Sequence, residues 1–271
     1  MRAENTVSES PVVRRYDEAA VVIAGGSSGI GLASALGFAQ AGVTRLALLS
    51  RDSERGAAAR KTVLQACPGP AEVIHLPVDA HDPEQVTKAI EAAHRELGAV
   101  DVLVNSVAAT SYLPELLHRT PIEDIPAILH AQALPPMLLT RAAWPIMQAQ
   151  NGGSVINVAS DAAKLATPGE TVFGGAMAAI VMFSRAAAIE GKRNGIRVNS
   201  ITPSLVSGTA TTERNQAATF SKKLFDKAAQ LASLGVSDAD DQASLIAFLG
   251  GPQSARLTGQ AISVNGGISA S

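Results

Sequence analysis

The residues with the clearest chemical potential form the run Ala24-Gly25-Gly26-Ser27-Ser28-Gly29-Ile30-Gly31, which follows an apolar stretch and precedes a helical one. Glycines let a turn tighten and let backbone N–H groups come close to a ligand. The first turn of a helix adds unsatisfied N–H groups and partial positive charge, so a pyrophosphate binds well there. Gly25, Ser27, Ser28, Gly29, Ile30 and Gly31 are therefore candidate dinucleotide contacts. At the end of the next apolar run stand Ser50, Arg51 and Asp52. An acidic residue there suits the ribose hydroxyls of NAD, and an arginine suits the 2′-phosphate of NADP. Arg51 favours NADP, with Asp52 beside it as a possible ribose acceptor. Other chemistries find little support. Cys67 is the single cysteine, His75, His81, His94, His118 and His130 lack metal spacing, and no GxSxG elbow is present. No metal is expected.

The elements that would position these groups alternate. Strands are expected at Ala19–Ala24, Arg45–Ser50, Val73–Val78, Val100–Asn105, Ser154–Ala159, Ile196–Ile201 and Gln260–Val264. Helices are expected at Ile30–Gln40, Glu54–Ala66, Pro83–Leu97, Ile122–Gln150 (broken near Pro135-Pro136), Val172–Lys192 and over 212–249 with a break near Gly235. Continuous apolar strands between helices imply right-handed βαβ units and a doubly wound parallel sheet covered on both faces. Residues 18–271 read as one domain, and residues 1–17 as a loosely held, flexible N-terminal tail.

The glycine run resembles the TGxxxGIG fingerprint of the short-chain dehydrogenase/reductase family. Further stretches resemble that family in order: Val78-Asp79-Ala80, Val104–Ala108 (VNSVA against NNAG), Gly195–Ser204 (GIRVNSITPS) and Leu257–Gly267 (LTGQAISVNGG). The resemblance runs from about residue 18 to the end of the chain. It implies an NAD(P)-binding Rossmann fold with a seven-stranded sheet. It also implies cofactor contacts from Asp79, Ala80, Asn105, Ser106, Pro203 and Leu205.

The same resemblance exposes a loss. In the family a serine binds the substrate oxygen, a tyrosine thirteen residues later acts as acid and base, and a lysine four beyond it tunes the tyrosine and holds the nicotinamide ribose. Here Ser160 is retained, but the tyrosine and lysine positions are Phe173 and Met177. The surrounding Phe173–Ala179 (FGGAMAA) still resembles YGASKAA, so no gap separates the two patterns. Gln132 stands at the position of a helical asparagine of the family's proton relay. Reduction of a carbonyl by hydride leaves an alkoxide that needs a proton, and neither Phe173 nor Met177 can supply one. Tyr112 is expected at the substrate rim, and Asp161 and Lys164 in a surface loop, though both could face the cleft.

Composition narrows the partners. Lys plus Arg total 22 against 24 for Asp plus Glu, and aromatics are 3%, which leaves no footprint for nucleic acid. No apolar stretch reads as reaching the roughly 18–20 residues of a membrane span, so a soluble, cytoplasmic protein is expected. The apolar stretch Val172–Ile189 suits a helix buried by its own sheet and by a neighbouring subunit. The resemblance implies an oligomer, expected as a tetramer. The first functional expectation is a non-catalytic or weakly active subunit, paired with an intact homologue. The segment around 161–190 resembles subunits of heteromeric hydroxyacyl-CoA dehydrogenases of the benzylsuccinate pathway type. Arg214, Lys222, Lys223 and Lys227 could then meet CoA phosphates. The alternative is a stand-alone enzyme: a redox-neutral cyclase or isomerase, or an NADPH-dependent reductase of carbonyl compounds or dehydrogenase of alcohols with another proton donor. A third possibility is a sensor that binds NADP(H).

Overall fold

The computed structural model describes residues 10–108, 112–217 and 219–270, with side chains outside 215–220. Seven parallel strands form one sheet in the order β3-β2-β1-β4-β5-β6-β7. They are β1 (Ala20–Ala24), β2 (Arg45–Ser50), β3 (Glu72–Pro77), β4 (Val102–Asn105), β5 (Gly153–Val158), β6 (Ile196–Ile201) and β7 (Ala261–Ile262). Between them run α1 (Gly29–Gln40), α2 (Ser53–Ala66), α3 (Pro83–Leu97), α4 (Asp124–Ala149), α5 (Thr171–Gly191), α6 (Ala210–Ala217), α7 (Thr219–Leu231) and α8 (Ala239–Gly250).

Every residue of β1, β4 and β6 is buried between the two helical layers; β1 is a continuous apolar run, while β6 buries Arg197 and Asn199 with hydrogen-bond partners around Leu249 and Leu257. One core cluster packs α3, α4 and α5 on one face, with Leu103, Leu139, Met147 and Ala188. The other packs α1, α2 and α8 on the opposite face, with Phe38, Leu48, Val63 and Ile246. Strand order reverses at β1, whose neighbours are β2 and β4. That opens a crevice at the carboxyl ends of the strands, where open α/β sheets bind ligands.

Three features differ from the expectations. First, α4 is unbroken, with Pro135, Pro136 and Pro145 inside it. Pro135 cannot donate to the carbonyl of Ala131 one turn earlier. His81 Nε2 takes that carbonyl instead, at 3.1 Å, so the helix continues. Second, the stretch expected as a loose tail is tied down from residue 10, while residues 1–9 lie outside the described residues. Val12 N–H donates to Asn151 O at 2.8 Å, and Tyr16 packs on Phe38 and donates to Ala247 O at 3.0 Å. Third, α5 and the turn after it, Thr171–Asn194, are long and apolar enough to cross a membrane by length and composition. In the fold the inner face of α5 lies on the sheet and α4, and Met182 and Ile189 point outward at 60% and 62% exposure.

Candidate active site

The glycine turn is built by close backbone contact. Gly25 has φ +78, and a Cβ there would sit 2.2 Å from Ser106 O. A Cβ on Gly31 would sit 2.2 Å from Gly25 O, so the start of α1 presses directly on the turn. Ser28 is the N-cap of α1, yet its side chain makes no capping bond among the described residues. By contrast α2, α3 and α8 are capped by Asp52, Asp82 and Asp238. The N–H groups of α1 are thus left for a ligand, beside the partly exposed Ser27, Gly29 and Ile30. These residues fit a dinucleotide pyrophosphate, the group the fold implies.

At the adenosine end Arg51 is exposed, and Ser50 Oγ is 2.9 Å from His75 Nε2. Asp52 is less available than its position suggested. One carboxylate oxygen takes the Arg55 backbone N–H at 2.9 Å and the other the Arg55 guanidinium at 3.0 Å. The Arg55 backbone bond, then its side chain, hold this carboxyl below the usual range. Asp79 is held below its usual range mainly by the backbone N–H and ring of His81, with a smaller contribution from the Arg51 charge. Asp79 Oδ1 takes both His81 bonds, at 3.0 and 2.9 Å. Ala80 is buried.

The Asn105 side chain, expected at the cofactor, is buried. Its amide donates to Asn157 Oδ1 at 2.7 Å and Thr140 Oγ1 at 3.2 Å, tying β4 to β5 and α4. Its contribution is to set the following loop, where Ser106 offers backbone against Gly25. Pro203 and Leu205 are likewise buried. Pro203 O accepts the Asp161 N–H at 2.9 Å.

The catalytic corner lies after β5. Ser160 caps a single helical turn, accepting the Ala162 N–H at 3.2 Å. Met177 is 4% exposed in an apolar cluster with Ala159, Ala176, Ile180 and Val181, and Phe173 packs against it. Of Asp161 and Lys164, expected in a surface loop, Asp161 is in fact buried and Lys164 half-buried, their side chains 6% and 12% exposed. The Asp161 carboxylate accepts from Ser263 Oγ and Asn265 Nδ2, both at 2.6 Å, and from Ser269 Oγ at 2.7 Å. Lys164 Nζ donates to Ser263 Oγ at 2.7 Å. The chain after β7 folds beneath this turn, so these two charges anchor the C-terminal segment.

A cavity of about 320 Å³ opens beside Phe173, lined also by Tyr112, Gln132, Glu170 and Arg214. Ser160 is not part of its lining among the described residues. Glu170 escaped the sequence reading because the family pattern assigns its position nothing. Its sole signal was a lone carboxylate at the head of a long apolar helix. A helix N-terminus ordinarily favours a carboxylate. Here burial dominates and lifts the Glu170 carboxyl to about 7, with the Thr167 hydrogen bond opposing and the Asp161 charge adding. Among the described residues no three His, Cys, Asp or Glu gather as a metal site. Lys222 pairs with Asp226 at 2.6 Å, on the exposed face of α7.

A seven-stranded parallel sheet with an uncapped glycine turn at the strand reversal defines a dinucleotide-binding α/β protein. Residues 24–269 match the family model described as enoyl-(acyl carrier protein) reductase. An uncharacterized oxidoreductase of Mycobacterium tuberculosis is 32% identical, over 94% of this chain and 93% of that protein. The 3-oxoacyl-[acyl-carrier-protein] reductase of Bos taurus is 34% identical, over 90% of this chain and 95% of its own. A short-chain oxidoreductase from Pseudomonas aeruginosa PAO1, solved with NADPH and described as containing an atypical catalytic centre, is 30% identical. It superposes with a TM-score of 0.84, covering 95% of this chain and 99% of that one. The chain belongs to the short-chain dehydrogenase/reductase family of NAD(P)-dependent oxidoreductases.

Proposed function

We propose that this chain is an NADP(H)-dependent oxidoreductase of small carbonyl compounds that works without the family's tyrosine–lysine pair and is therefore slow toward generic ketones and alcohols. The observation that carries this reading is the cavity beside Phe173: the substrate space is open, while Met177 is buried in an apolar cluster and Phe173, packed against that cluster, offers the cavity only a hydrocarbon ring. A bound nicotinamide would supply hydride. The Gly25–Gly31 turn would hold its pyrophosphate, and the exposed Arg51 the 2′-phosphate. Tyr112 and Gln132 give the substrate polar contacts from the cavity lining. Phe173 excludes water from the reacting face but moves no proton. Positioned acid–base catalysis is worth about 10²–10⁴-fold, which sets the scale of the deficit. The NADPH-bound relative with an atypical centre supports a working enzyme of this kind.

Fluorescence titration with NADPH and NADH, alongside NADPH oxidation with a ketone panel, tests the reading. Tighter NADPH binding with slow turnover is expected. No NADPH binding would sink it, and rates around 1–10³ per second on generic ketones would remove the slow-turnover part.

A second reading is favoured by the outer face of α5, where Met182 and Ile189 are exposed. There the chain is a subunit that assembles through α4 and α5, as a tetramer or with a catalytically intact homologue. Sedimentation of the pure protein and co-purification from the native host decide it. A monomer at micromolar concentration would count against any such assembly.

A further inference from the structure

Glu170 and Phe173 stand one turn apart at the start of α5, and both line the same cavity. Glu170 is the N-cap residue, with φ −114 and ψ 23 outside helical geometry, so it is their shared cavity wall that puts the two side chains together. The carboxyl is thus a neighbour of the side chain that replaces the family's proton donor. Its backbone is fixed on both sides. Glu170 N–H donates to Thr167 O at 3.1 Å, Glu170 O accepts from Gly174 N–H at 2.6 Å, and Gly169 O accepts from Glu115 N–H at 2.9 Å. Arg214 on α6 lines the same cavity, and its Nε is buried with no hydrogen-bond partner among the described residues. An unsatisfied buried donor is costly, and an acceptor oxygen on a ligand removes that cost.

We propose that Glu170 is the proton donor of this site, acting on a small oxo compound whose second oxygen function is held by Arg214. This rests on the oxidoreductase reading and names the residue and substrate class that reading leaves open. In the reductive direction the carbonyl carbon receives hydride from the reduced nicotinamide. The C=O π pair moves onto oxygen, the Glu170 O–H bond breaks, and its proton ends on that oxygen. The substrate leaves as an alcohol, the nicotinamide is oxidised, and the Glu170 carboxylate is reprotonated from water at the cavity mouth.

A donor needs to be protonated near the working pH and close to its conjugate base. Burial gives Glu170 that property, at about 7. The other charged groups lining the cavity are Glu115, Asp124 and Arg214, and Asp161 lies behind the site. The Glu115 carboxylate is occupied by the Leu116 N–H at 2.7 Å. Because the folded-state value lies above the ordinary 4.5, Glu170 stabilises the fold fully below about 4.5. That contribution is lost as pH rises through about 7.

Glu170→Gln and Glu170→Asp are compared with the unmodified full chain, using NADPH with 3-oxobutanoate and 4-oxopentanoate as probes. The reductive rate of the unmodified protein is expected to fall above a pH of about 7. Glu170→Gln should lose about 10²-fold in rate together with that limb, and Glu170→Asp should keep part of both. Without cofactor or substrate, the melting temperature of the unmodified protein should fall across that pH range, and that of Glu170→Gln should not. An unchanged rate and pH profile in Glu170→Gln, with NADPH still bound, overturns the proposal and leaves the oxidoreductase reading standing. So does failure of the unmodified protein to reduce either probe, or a melting temperature whose pH dependence is the same in both proteins. Loss of NADPH binding by the unmodified protein would strike the oxidoreductase reading itself.

Discussion

The turn after β1 and the turn before α5 lie at the same carboxyl edge of one sheet, but they are made of different materials. The first is backbone: Gly25 against Ser106 O, Gly31 against Gly25 O, and a helix start whose cap side chain makes no capping bond. The second is side chain: Phe173 and Met177 joined to an apolar cluster, with Glu170 half-buried beside Phe173. A backbone cradle tolerates little substitution, since a Cβ at Gly25, Gly26 or Gly31 meets a carbonyl oxygen. A catalytic corner made of side chains can be exchanged one residue at a time, provided volume and packing are kept. The nucleotide half of the site has therefore kept its pattern while the proton-transfer half has changed.

The sharpest way to break this contrast is to rebuild the second turn. Phe173→Tyr alone should gain little, because an untuned phenol near 10 lacks its ribose-bound partner. With Met177→Lys added, the rate on a generic ketone should rise by about 10²-fold or more, beyond the product of the two single effects. The lysine enters a position only 4% exposed, so a stability loss of roughly 1–3 kcal/mol should accompany the gain in thermal melts. Additive single effects would show that the frame around these positions no longer fits the family's chemistry.

Gly31→Ala attacks the first turn. Overpacking of roughly 1–3 kcal/mol there should weaken NADPH binding by about 10–100-fold in a fluorescence titration. Binding within twofold of the unmodified protein would refute the close-contact account. Arg51→Asp should weaken NADPH by about tenfold and leave NADH little changed. Equal losses for both would show that Arg51 does not read the 2′-phosphate. The smallest effect concerns the strut between these regions. His81→Ala removes the donor that serves the Ala131 carbonyl and should cost about 1 kcal/mol in urea unfolding, with cofactor selectivity unchanged.

Much of the fold was legible along the chain. Arg45–Ser50 and Pro83–Leu97 occur where expected, because buried parallel strands are rich in apolar residues and Asp82-Pro83 marks a helix start, and Ile196–Ile201 occurs where the GIRVNSITPS resemblance put it. The path of α4 was not, since Pro135-Pro136 ordinarily ends a helix. What rescues it is a histidine fifty residues away, a contact that local propensity does not encode. Asp161 and Lys164 misled for the same reason. Two charges after a strand look like a surface loop until Ser263, Asn265 and Ser269 arrive to bury them.

The sequence by itself determined the class of protein, the glycine cradle and the loss of the tyrosine–lysine pair, because these depend on residue identity at fixed spacing. Only the tertiary structure decided that Asn105 ties the core, that Asp52 is occupied by Arg55, and that Glu170 is a half-buried acid lining an open cavity. Those properties come from what surrounds a polar group. Desolvation and hydrogen-bond partners are supplied by elements far apart in the chain, so they exist only once the chain has folded.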